Sequence, residues 1–545
     1  MSGFGIGDIH EAIAASRPDE LCLVFRERRF TWADVTDRTR RLANHLVASG
    51  LGCHVEREHL TGSESGQDHL AIYLFNGNEY LESMLGAFKA RVAPLNVNYR
   101  YVAEELRYLL NDSKATAIVV HSQFAPTLAE VLSEVPSLRV ILQVADDSGN
   151  DLLPGAVWYE DALAAASPDK PTVQTSGDDL YILYTGGTTG MPKGVLWRSD
   201  DANVECFGGS RTAVTLDDFA TEAVGGLRAL LAPPFMHGAG HWMSFRTWNS
   251  GGTIFIQDVP ERLDPHDVWG LIEREQLNFL LIVGDAFARP LLDELDHAAN
   301  ADSQYDLSSL TVILSGGAPL SANLKDEFIA HLPTTMIVDG LGSSEAGGQV
   351  SQVSAGANAT TGTFPLGPGN HVLSGDLDRE LEPGDDELGW LAKSGRLALG
   401  YLGDPAKTDR TYPVINGVRY AIPGDRARLR ADGTVELHGR DSVTINSGGE
   451  KIFAEEVEAA IKAHDAVYDC VVAGRPSERW GSEVVAVVRI RENHAASEEQ
   501  LLAEAERHIA RYKLPKAFVF VDEIVRSPSG KADYRWAKQV AEHAR

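Results

Sequence analysis

A short apolar run followed at once by a loop of glycines and threonines constrains this chain more than any other stretch. The run at residues 180–184 predicts a buried strand. Glycines let the following backbone turn tightly and bring its N–H groups close to a ligand, and phosphate oxygens need many donors and little bulk. The sequence therefore predicts a polyphosphate-binding loop, extended by the positive charge of Lys193, at Thr185, Gly186, Gly187, Thr188, Thr189 and Gly190.

This loop does not match the Walker motif of nucleotide-binding proteins. In that motif a lysine follows a glycine and precedes a serine or threonine, whereas Lys193 lies between Pro192 and Gly194. A flexible surface turn is the alternative interpretation. The convergence of hydroxyls, glycines and a lysine after a buried strand favours a ligand site.

Composition excludes several classes of function. The chain has 545 residues, 43% of them apolar, which is enough for two or more soluble globular domains. Its net charge of −29 argues against nucleic acid as a partner, because a large basic surface is lacking. The four cysteines are far apart and lack metal or redox spacing; they are Cys22, Cys53, Cys206 and Cys470.

The N-terminal residues and the apolar runs bear on location. Residues 1–20 carry acidic side chains and no apolar core, so we expect no signal peptide. None of the apolar runs approaches the length of a membrane span. The sequence therefore predicts a cytoplasmic protein without a membrane span and leaves the oligomeric state open, a homodimer included.

Short apolar runs alternate with amphipathic segments through residues 20–440, a pattern typical of α/β layers with largely parallel sheets. The spacing of Val102, Leu106 and Leu109 predicts one of the intervening helices, ending at Asn111 and Asp112. The polar, non-periodic residues 53–68 and the small residues at 355–363 predict loops. The predicted strands are 70–75, 117–121, 140–144, 180–184, 253–257, 279–283, 312–315 and 336–339.

The pattern changes after Arg440, where we place a domain boundary. Residues 455–464 and 498–511 predict helices, and residues 469–473 and 483–491 predict strands. The fold class is therefore α/β, with a large N-terminal domain of layered, mostly parallel sheets at 1–440. A small α+β domain follows at 441–545, close to an ordinary domain size.

The 180–195 segment resembles the phosphate loop of the adenylate-forming superfamily of acyl-CoA synthetases, luciferases and peptide-synthetase adenylation domains. The resemblance covers nearly the whole chain, because further motifs of that superfamily follow in order at 233–238, 314–319, 339–345, 420–425, 441–452 and 526–535. It implies a two-step reaction. A carboxylate attacks the α-phosphate of ATP in the presence of Mg²⁺, and the thiol of coenzyme A then displaces AMP.

The resemblance implies how the nucleotide is bound. Asp339 matches the position that meets the adenine amino group, Ser344 the position of an α-phosphate contact, and Asp425 the ribose ligand, with Arg440 nearby. The adenine segment departs from the superfamily at Leu341, where a tyrosine usually stacks on the ring. The remaining implied ATP contacts, beyond the phosphate loop, are Gly317, Ala318, Pro319, Gly340, Gly342 and Lys531.

The resemblance also implies catalytic and thiol-binding residues. Lys531 matches the lysine that bridges the substrate carboxylate and the phosphates, and Glu345 the Mg²⁺ ligand. His237 lies beside the carboxylate and Thr185 in the catalytic loop. Ser442 stands at the hinge of a mobile C-terminal domain, where the superfamily usually has aspartate or lysine. The implied coenzyme A contacts are Ser447, Gly448 and Gly449.

The substrate prediction is a large apolar acid, either a long-chain fatty acid or a steroid side-chain acid. Residues 96–101, 282–292 and 527–536 resemble actinobacterial acyl-CoA synthetases that act on such acids. The small residues Gly238, Ala239 and Gly240 after His237 predict an open pocket, unless they serve close packing with Trp242 behind them. Alternatives are an enzyme that hands the acyl group to a carrier protein, a ligase for short or aromatic acids, and a binding protein without catalysis.

Overall fold

The computed structural model describes residues 3–185, 191–301, 303–354, 361–447, 450–477, 481–528 and 530–543. The predicted phosphate-loop residues Gly186, Gly187, Thr188, Thr189 and Gly190 lie outside these ranges. So do Gly448 and Gly449 of the predicted coenzyme A segment and residues 355–360 of the predicted loop at 355–363. The residues on either side of these three segments are described.

The first of two large sheets has eight strands in the order β15-β14-β13-β12-β10-β11-β1-β2. Its inner pairs are parallel, and the hairpins at its two edges are antiparallel. The strands are β1 (Leu21–Phe25), β2 (Arg28–Thr31), β10 (Arg228–Leu231), β11 (Thr253–Ile256), β12 (Phe279–Ile282), β13 (Val312–Gly316), β14 (Met336–Ser343) and β15 (Gly347–Ser354).

The second large sheet also has eight strands, in the order β19-β9-β8-β4-β3-β5-β6-β7. Neighbouring strands are parallel from β8 through β4, β3, β5 and β6 to β7. At the other edge, β9 pairs with β8 and β19 pairs with β9, both antiparallel. The strands are β3 (His69–Tyr73), β4 (Ala93–Asn96), β5 (Ala117–His121), β6 (Val140–Val144), β7 (Val157–Trp158), β8 (Leu180–Thr185), β9 (Lys193–Arg198) and β19 (Gly400–Tyr401).

The largest apolar core lies between these two sheets. It joins side chains from both sheets with helix α3, which is buried along its whole length. A helix buried all round has to be covered on every side, and helices α1 and α2 together with strands of both sheets supply that cover. The helices of this part are α1 (Ile6–Ser16), α2 (Trp32–Ala48), α3 (Asn78–Lys89), α4 (Ala103–Asp112), α5 (Ala125–Val131), α6 (Tyr159–Ala165), α7 (Ser199–Glu205), α8 (Leu216–Glu222), α9 (Gly238–Asn249), α10 (Pro265–Glu275), α11 (Gly284–Asn300), α12 (Ala322–His331) and α13 (Pro405–Thr411).

A third, antiparallel sheet follows the two large ones along the chain. It runs in the order β16-β23-β22-β18-β21-β20, with β17 added beside β18. Its last strand in sequence ends at Arg440, the predicted domain boundary. The strands are β16 (Thr363–Pro365), β17 (Asn370–Leu373), β18 (Gly389–Ser394), β20 (Val414–Ile415), β21 (Val418–Ala421), β22 (Asp425–Leu429) and β23 (Thr434–Arg440).

The C-terminal segment has its own apolar core and mixes helices with small sheets. A two-stranded hairpin precedes a three-stranded sheet in the order β26-β27-β28. The elements are β24 (Thr444–Ser447), β25 (Glu450–Phe453), α14 (Ala454–Lys462), β26 (Val467–Ser477), β27 (Gly481–Ile490), α15 (Glu498–Ala505), β28 (Ala517–Phe520) and α16 (Tyr534–His543). Five 3₁₀ helices complete the described elements, at Arg57–His59, Ser122–Phe124, Leu132–Glu134, Asp441–Val443 and Arg511–Lys513.

The predicted α/β class is confirmed, and two of the predicted strands, 117–121 and 140–144, match β5 and β6 residue for residue. The helix predicted from the spacing of Val102, Leu106 and Leu109 is confirmed as α4, which ends at Asp112. Val102 itself is 62% exposed and directly precedes α4, so it does not share the buried face of Leu106 and Leu109. The predicted helix at 498–511 was too long, because α15 ends at Ala505. Residues 53–68 are anchored, since Gln67 accepts a hydrogen bond from Leu180 N at 2.6 Å.

Histidine 10 makes stability depend on pH. Its ring packs between Trp32 and Trp248, with centroids 5.1 and 5.3 Å away. Neither ring nitrogen has a hydrogen-bond partner among the described residues. Burial, and then the nearby Lys89 charge, hold the pKa of His10 well below its usual value. Below about pH 6.5 the unfolded chain therefore binds a proton that the folded chain does not. The folded state becomes less stable as the pH is lowered.

We expect His10→Leu to remove part of this pH dependence. Between pH 7.5 and 5.5 the native protein should lose more unfolding free energy than the variant, by up to about 1.4 kcal/mol. Urea unfolding at both pH values measures the difference. The exposed His494 supplies the control variant, His494→Leu, which should lose as much as the native protein. An equal loss in all three proteins would contradict this role of His10.

Candidate active site

The lysine of the C-terminal motif lies among four other predicted site residues. The charges of Arg440, Glu345 and Asp425 act on the Lys531 ammonium, and Lys531 in turn acts on His237. The Lys531 side chain is exposed, yet protein surrounds it closely enough that desolvation, followed by Arg440, lowers its pKa. Residues spread from position 237 to position 531 therefore lie close enough for their charges to act on one another.

His237 has an uncharged imidazole ring. It is the residue before α9, and its Nε2 is buried without a hydrogen-bond partner among the described residues. Burial, followed by the positive charge of Lys531, lowers the pKa of His237 to about 3. At neutral pH the ring is therefore uncharged and has an unused polar atom for a ligand.

Two buried asparagines hold the loop that carries His237. Asn76 accepts from Phe235 N at 2.6 Å and donates to Pro233 O at 3.0 Å. Asn96, at the end of β4, donates to Met236 O at 2.7 Å and to Tyr184 O at 2.9 Å. Its amide oxygen accepts from Tyr184 N at 2.8 Å. A single amide thus joins the strand that leads into the phosphate loop to the residue before His237.

We expect Asn96→Ala to lower both stability and activity. The substitution removes three hydrogen bonds and leaves their buried backbone partners unsatisfied, at a cost of about 3 kcal/mol. Adenylate formation should fall at least about tenfold, because the phosphate loop and His237 lose their common support. Thermal unfolding and ATP–pyrophosphate exchange measure the two effects. Asn111→Ala, which removes two hydrogen bonds at an exposed site, should change neither greatly. Similar effects of both variants would contradict the role of Asn96.

Glu345 is oriented by two tyrosines. Tyr401 on β19 donates from its hydroxyl to Glu345 Oε1 at 2.7 Å, and Tyr412 donates to the Glu345 backbone oxygen at 3.3 Å. Among the described residues, no cluster of three or more His, Cys, Asp or Glu side chains could hold a metal by itself. The Glu345 carboxylate, held by Tyr401, is a hard oxygen ligand that could take one position of a magnesium ion, with phosphate oxygens and water in the others.

Asp425 and Arg440 face each other across the β22–β23 pair. Arg440 Nε donates to Asp425 Oδ1 at 3.3 Å, while Asp425 Oδ2 is buried without a partner among the described residues. An unsatisfied buried carboxylate oxygen fits the hydroxyl of a bound sugar. Arg440 N also donates to Glu455 Oε2 at 3.2 Å, and burial raises the pKa of Glu455 to about 7.

The predicted adenine segment follows β13. Gly317 has φ +94°, a conformation that favours glycine, and Gly316 pairs with Gly340 on β14. Ala318 and Pro319 approach α11 closely, since a side chain at Gly284 would meet Pro319 O at 2.5 Å. Together these small residues leave a flat backbone surface suited to a ring.

Two residues of this segment have partners that the sequence did not predict. Asp339 accepts from Lys325 Nζ at 2.8 Å, and that lysine is fully buried. Leu341 is half-buried and packs against the core of the third sheet. Gly342 pairs with Gly348 on β15, and Trp197 Nε1 donates to the Ser344 backbone oxygen at 2.8 Å. The Ser344 hydroxyl, the predicted phosphate contact, lies next to Glu345 in sequence.

The flanks of the phosphate loop form a hairpin. Thr185 ends β8 and pairs with Lys193, the first residue of β9. Lys193 Nζ donates to Asp112 Oδ1 at 2.8 Å, and the Tyr184 hydroxyl donates to the other oxygen of the same carboxylate at 2.9 Å. The lysine is therefore bound to α4 in this structure rather than free to turn toward the loop.

The predicted hinge and thiol segment follow β23 directly. Ser442 lies in the 3₁₀ helix Asp441–Val443, and Ser447 is buried at the end of β24. Asp441 N donates to Gly424 O at 3.1 Å, which fixes the start of this helix next to Asp425. The hinge and thiol roles remain predictions.

Several residues of the site were not predicted from the sequence. Asn76 follows β3 and Asn96 ends β4, so both lie near the carboxyl ends of strands of the second sheet, whereas Asp112 ends helix α4. Ligand sites in open parallel sheets lie at that edge, so a polar residue immediately after a buried run is the signal that could have identified them. Tyr401 and Lys325 carry no comparable signal.

Models of two protein families match the chain. The model described as AMP-binding enzyme covers residues 10–402, and that of its C-terminal domain covers residues 456–531. The chain belongs to the AMP-binding enzyme family. The resemblance to adenylate-forming enzymes is thereby confirmed over most of the sequence.

Individual relatives of this AMP-binding enzyme align with it end to end. The medium-chain acyl-CoA ligase Mig of Mycobacterium avium is 52% identical over 99% of this chain and 98% of the relative. The 3-oxocholest-4-en-26-oate–CoA ligase of Rhodococcus rhodochrous is 40% identical over 98% and 95%. A medium/long-chain-fatty-acid–CoA/3-oxocholest-4-en-26-oate–CoA ligase of Mycolicibacterium smegmatis is 41% identical over 98% and 96%.

Solved structures share the whole fold of this AMP-binding enzyme. The anthranilate CoA ligase AuaEII in complex with anthranoyl-AMP superimposes with a TM-score of 0.82 at 20% identity, covering 99% of this chain and 98% of that one. ATP-bound MatB from Rhodopseudomonas palustris gives 0.81 at 24% identity, covering 98% and 99%. None of the helices in the described part of the chain has the length and apolar character needed to cross a bilayer.

Proposed function

We propose that this AMP-binding enzyme is an acid–thiol ligase that activates a medium- to long-chain apolar carboxylic acid with ATP and transfers the acyl group to coenzyme A. The observation that carries the proposal is that the charges of Glu345, Asp425 and Arg440 act on Lys531 and that of Lys531 on His237, with Arg440 hydrogen-bonded to Asp425. A bare carboxylate is a poor acyl donor, and conversion to an adenylate gives it a leaving group.

The chain's own residues divide the work of the first step. Lys531 supplies positive charge where the substrate carboxylate and the phosphates of ATP approach each other. The neutral ring of His237 bounds the carboxylate site without adding charge. Asp425 binds the ribose through its unsatisfied oxygen, and Arg440 holds that carboxylate in place. A magnesium ion, when bound at Glu345, neutralises phosphate charge.

The small residues after His237 do not leave the open acyl pocket that the sequence predicted. Small residues after His237 serve close packing, because a side chain at Gly240 would meet Pro234 O at 2.7 Å and one at Gly238 would meet Trp242 at 3.2 Å. One turn further along α9, His241 bonds to the Tyr181 hydroxyl, to which Trp242 Nε1 also donates at 2.9 Å.

The side chains around His241 are mostly apolar and leave no space large enough for a water molecule. They are Ile72, Tyr80, Met84, Pro94, Leu95, Asn96 and Tyr181. An acyl tail that extended past His241 would have to displace the His241–Tyr181 contact and these side chains. Each methylene that becomes buried gains about 0.8 kcal/mol, which would favour long apolar acids. The names of the 52% and 40–41% identical relatives support the same class of acid.

An AMP-release assay over carboxylic acids tests this function. We expect kcat/KM to be highest for C8–C16 fatty acids and at least about tenfold lower for acetate and benzoate. A steroid side-chain acid should be assayed as an additional substrate. Product analysis must find acyl-CoA, since release of acyl-adenylate or transfer to a carrier protein alone would mark the alternative ligase. Preference for acetate or benzoate would refute the proposed substrate class.

Four further predictions belong to this proposal. The matched ranges 10–402 and 456–531 support a boundary between the domains near Arg440. We propose that the segment after it is mobile and that the enzyme acts in the cytoplasm. A homodimer is compatible with the proposal, and gel filtration with light scattering tests it.

A further inference from the structure

One buried ion pair joins the C-terminal segment to the large N-terminal part. Lys462, the last residue of α14, donates from Nζ to Asp285 Oδ2 at 2.7 Å. Both side chains are about nine-tenths buried. Desolvation disfavours both charges, yet the pairing outweighs it, so that the pKa of Lys462 is raised and the pKa of Asp285 is lowered. Both groups are therefore charged at neutral pH.

On the N-terminal side, Asp285 is tied to the adenine segment. Its second oxygen accepts from Ser321 N at 2.7 Å, and its own backbone N–H donates to Pro319 O at 3.2 Å. Asn323, two residues further along, donates to Lys462 O at 3.3 Å. The ion pair and this hydrogen bond thus attach the end of α14 directly to the loop behind the predicted adenine site.

On the C-terminal side, Lys462 is linked to the loop of Lys531. The Asp469 carboxylate adds to the negative field around Lys462 and binds Arg526 through two contacts of 2.7 Å. Arg526 Nη1 then donates to Gly530 O at 2.9 Å, in the residue before Lys531. Gly530 itself approaches Val283, since a side chain there would meet Val283 O at 3.1 Å. The contacts of Asp469, Arg526 and Gly530 reach the loop of Lys531, and the charge of Asp469 acts on Lys462 across a step that has no direct bond.

We propose that the Asp285–Lys462 ion pair is a positioning contact between the two domains that aligns Lys531 for adenylate formation and is dispensable for thioester formation. The inference rests on the proposed two-step reaction. Asp285 and Lys462 touch no substrate; they act by holding the C-terminal segment against the adenine segment. If the segment rotates before the thiol enters, this pair has to separate.

Isosteric charge removal tests the proposal. Asp285→Asn keeps an acceptor for Ser321 N but removes the charge opposite Lys462, and Lys462→Met removes the ammonium while keeping the apolar stem. Loss of one partner from a buried, hydrogen-bonded charge pair should slow adenylate formation about 100-fold. Single-turnover adenylate formation with dodecanoate and ATP measures it. Thioester formation from supplied dodecanoyl-adenylate and coenzyme A should stay within about threefold of the native rate.

A double variant with the two charges exchanged, and a control variant at a second ion pair, test the inference further. The double variant Asp285→Lys/Lys462→Asp should recover at least about tenfold over the single variants. The control is Lys513→Met, because Lys513 Nζ contacts Glu456 at 2.5 Å within the C-terminal segment itself. It should leave both half-reactions near native rates.

The outcomes separate this inference from the proposed function. Failure of the native enzyme to form dodecanoyl-adenylate would refute the proposed function. With the native enzyme active, equal losses in both half-reactions would overturn the positioning role. So would an Asp285→Asn enzyme with native adenylate formation, or a Lys513→Met enzyme as impaired as Lys462→Met. Retained thioester formation shows that each variant is folded.

Discussion

The Lys531→Ala enzyme should form adenylate about 10²–10³-fold more slowly than the native enzyme, while converting supplied acyl-adenylate to the thioester at close to the native rate. Its ammonium stands among His237, Glu345, Asp425 and Arg440, where two anionic reactants would otherwise repel each other. Loss of one positioned charge or donor typically costs about 10²–10³ in rate. Only the first half-reaction brings carboxylate and phosphates together.

Pre-steady-state adenylate formation and thioester formation should be measured separately with the same acid. Lys516→Ala, which removes an exposed lysine of the same segment, serves as the control and should resemble the native enzyme in both. If Lys531→Ala slows both half-reactions equally, or if the control is equally slow, Lys531 is not the residue that joins the two anions.

The Ser442→Pro enzyme should lose thioester formation and keep adenylate formation, the opposite of the Lys531→Ala enzyme. Proline fixes φ and restricts the residue before it, and Ser442 lies in the 3₁₀ helix Asp441–Val443 between the third sheet and the C-terminal segment. Adenylate formation, which uses the arrangement seen here, should survive. Thioester formation should fall about 100-fold or more if the C-terminal segment has to rotate about this residue.

Ser442→Ala is the matched control, because it removes the hydroxyl and leaves the backbone free. It should form thioester at the native rate. Native thioester formation by Ser442→Pro would place the hinge elsewhere, and a loss shared by both variants would assign the effect to the hydroxyl instead of the backbone.

The fold was largely predictable because its signals are local. Runs such as 117–121 and 140–144 are apolar, rich in β-branched residues and bounded by polar ones, and the strands end where the runs end. The order of the nucleotide motifs predicted residues whose charges act on Lys531 in the structure, while their binding and catalytic roles stay predictions. Neither prediction required knowledge of which distant segments touch.

The supports of the site were not predictable for the opposite reason. Asn96 bonds to residues 88 and 140 positions away, and Asp285 pairs with a lysine 177 positions away. No periodicity records such partners. The glycines after His237 show a related ambiguity, because a small residue leaves space for a ligand or for a neighbouring backbone. At Gly240 the space is taken by the oxygen of Pro234.

The amide of Asn96 has a consequence for how relatives of this enzyme could change their substrates. Because it binds both Tyr184, next to the predicted phosphate loop, and Met236, next to His237, it ties these two backbone segments to each other. Under the proposed function, this part of the site would serve a short acid and a long one alike. Selection among acids would then fall to side chains deeper along α9, such as His241.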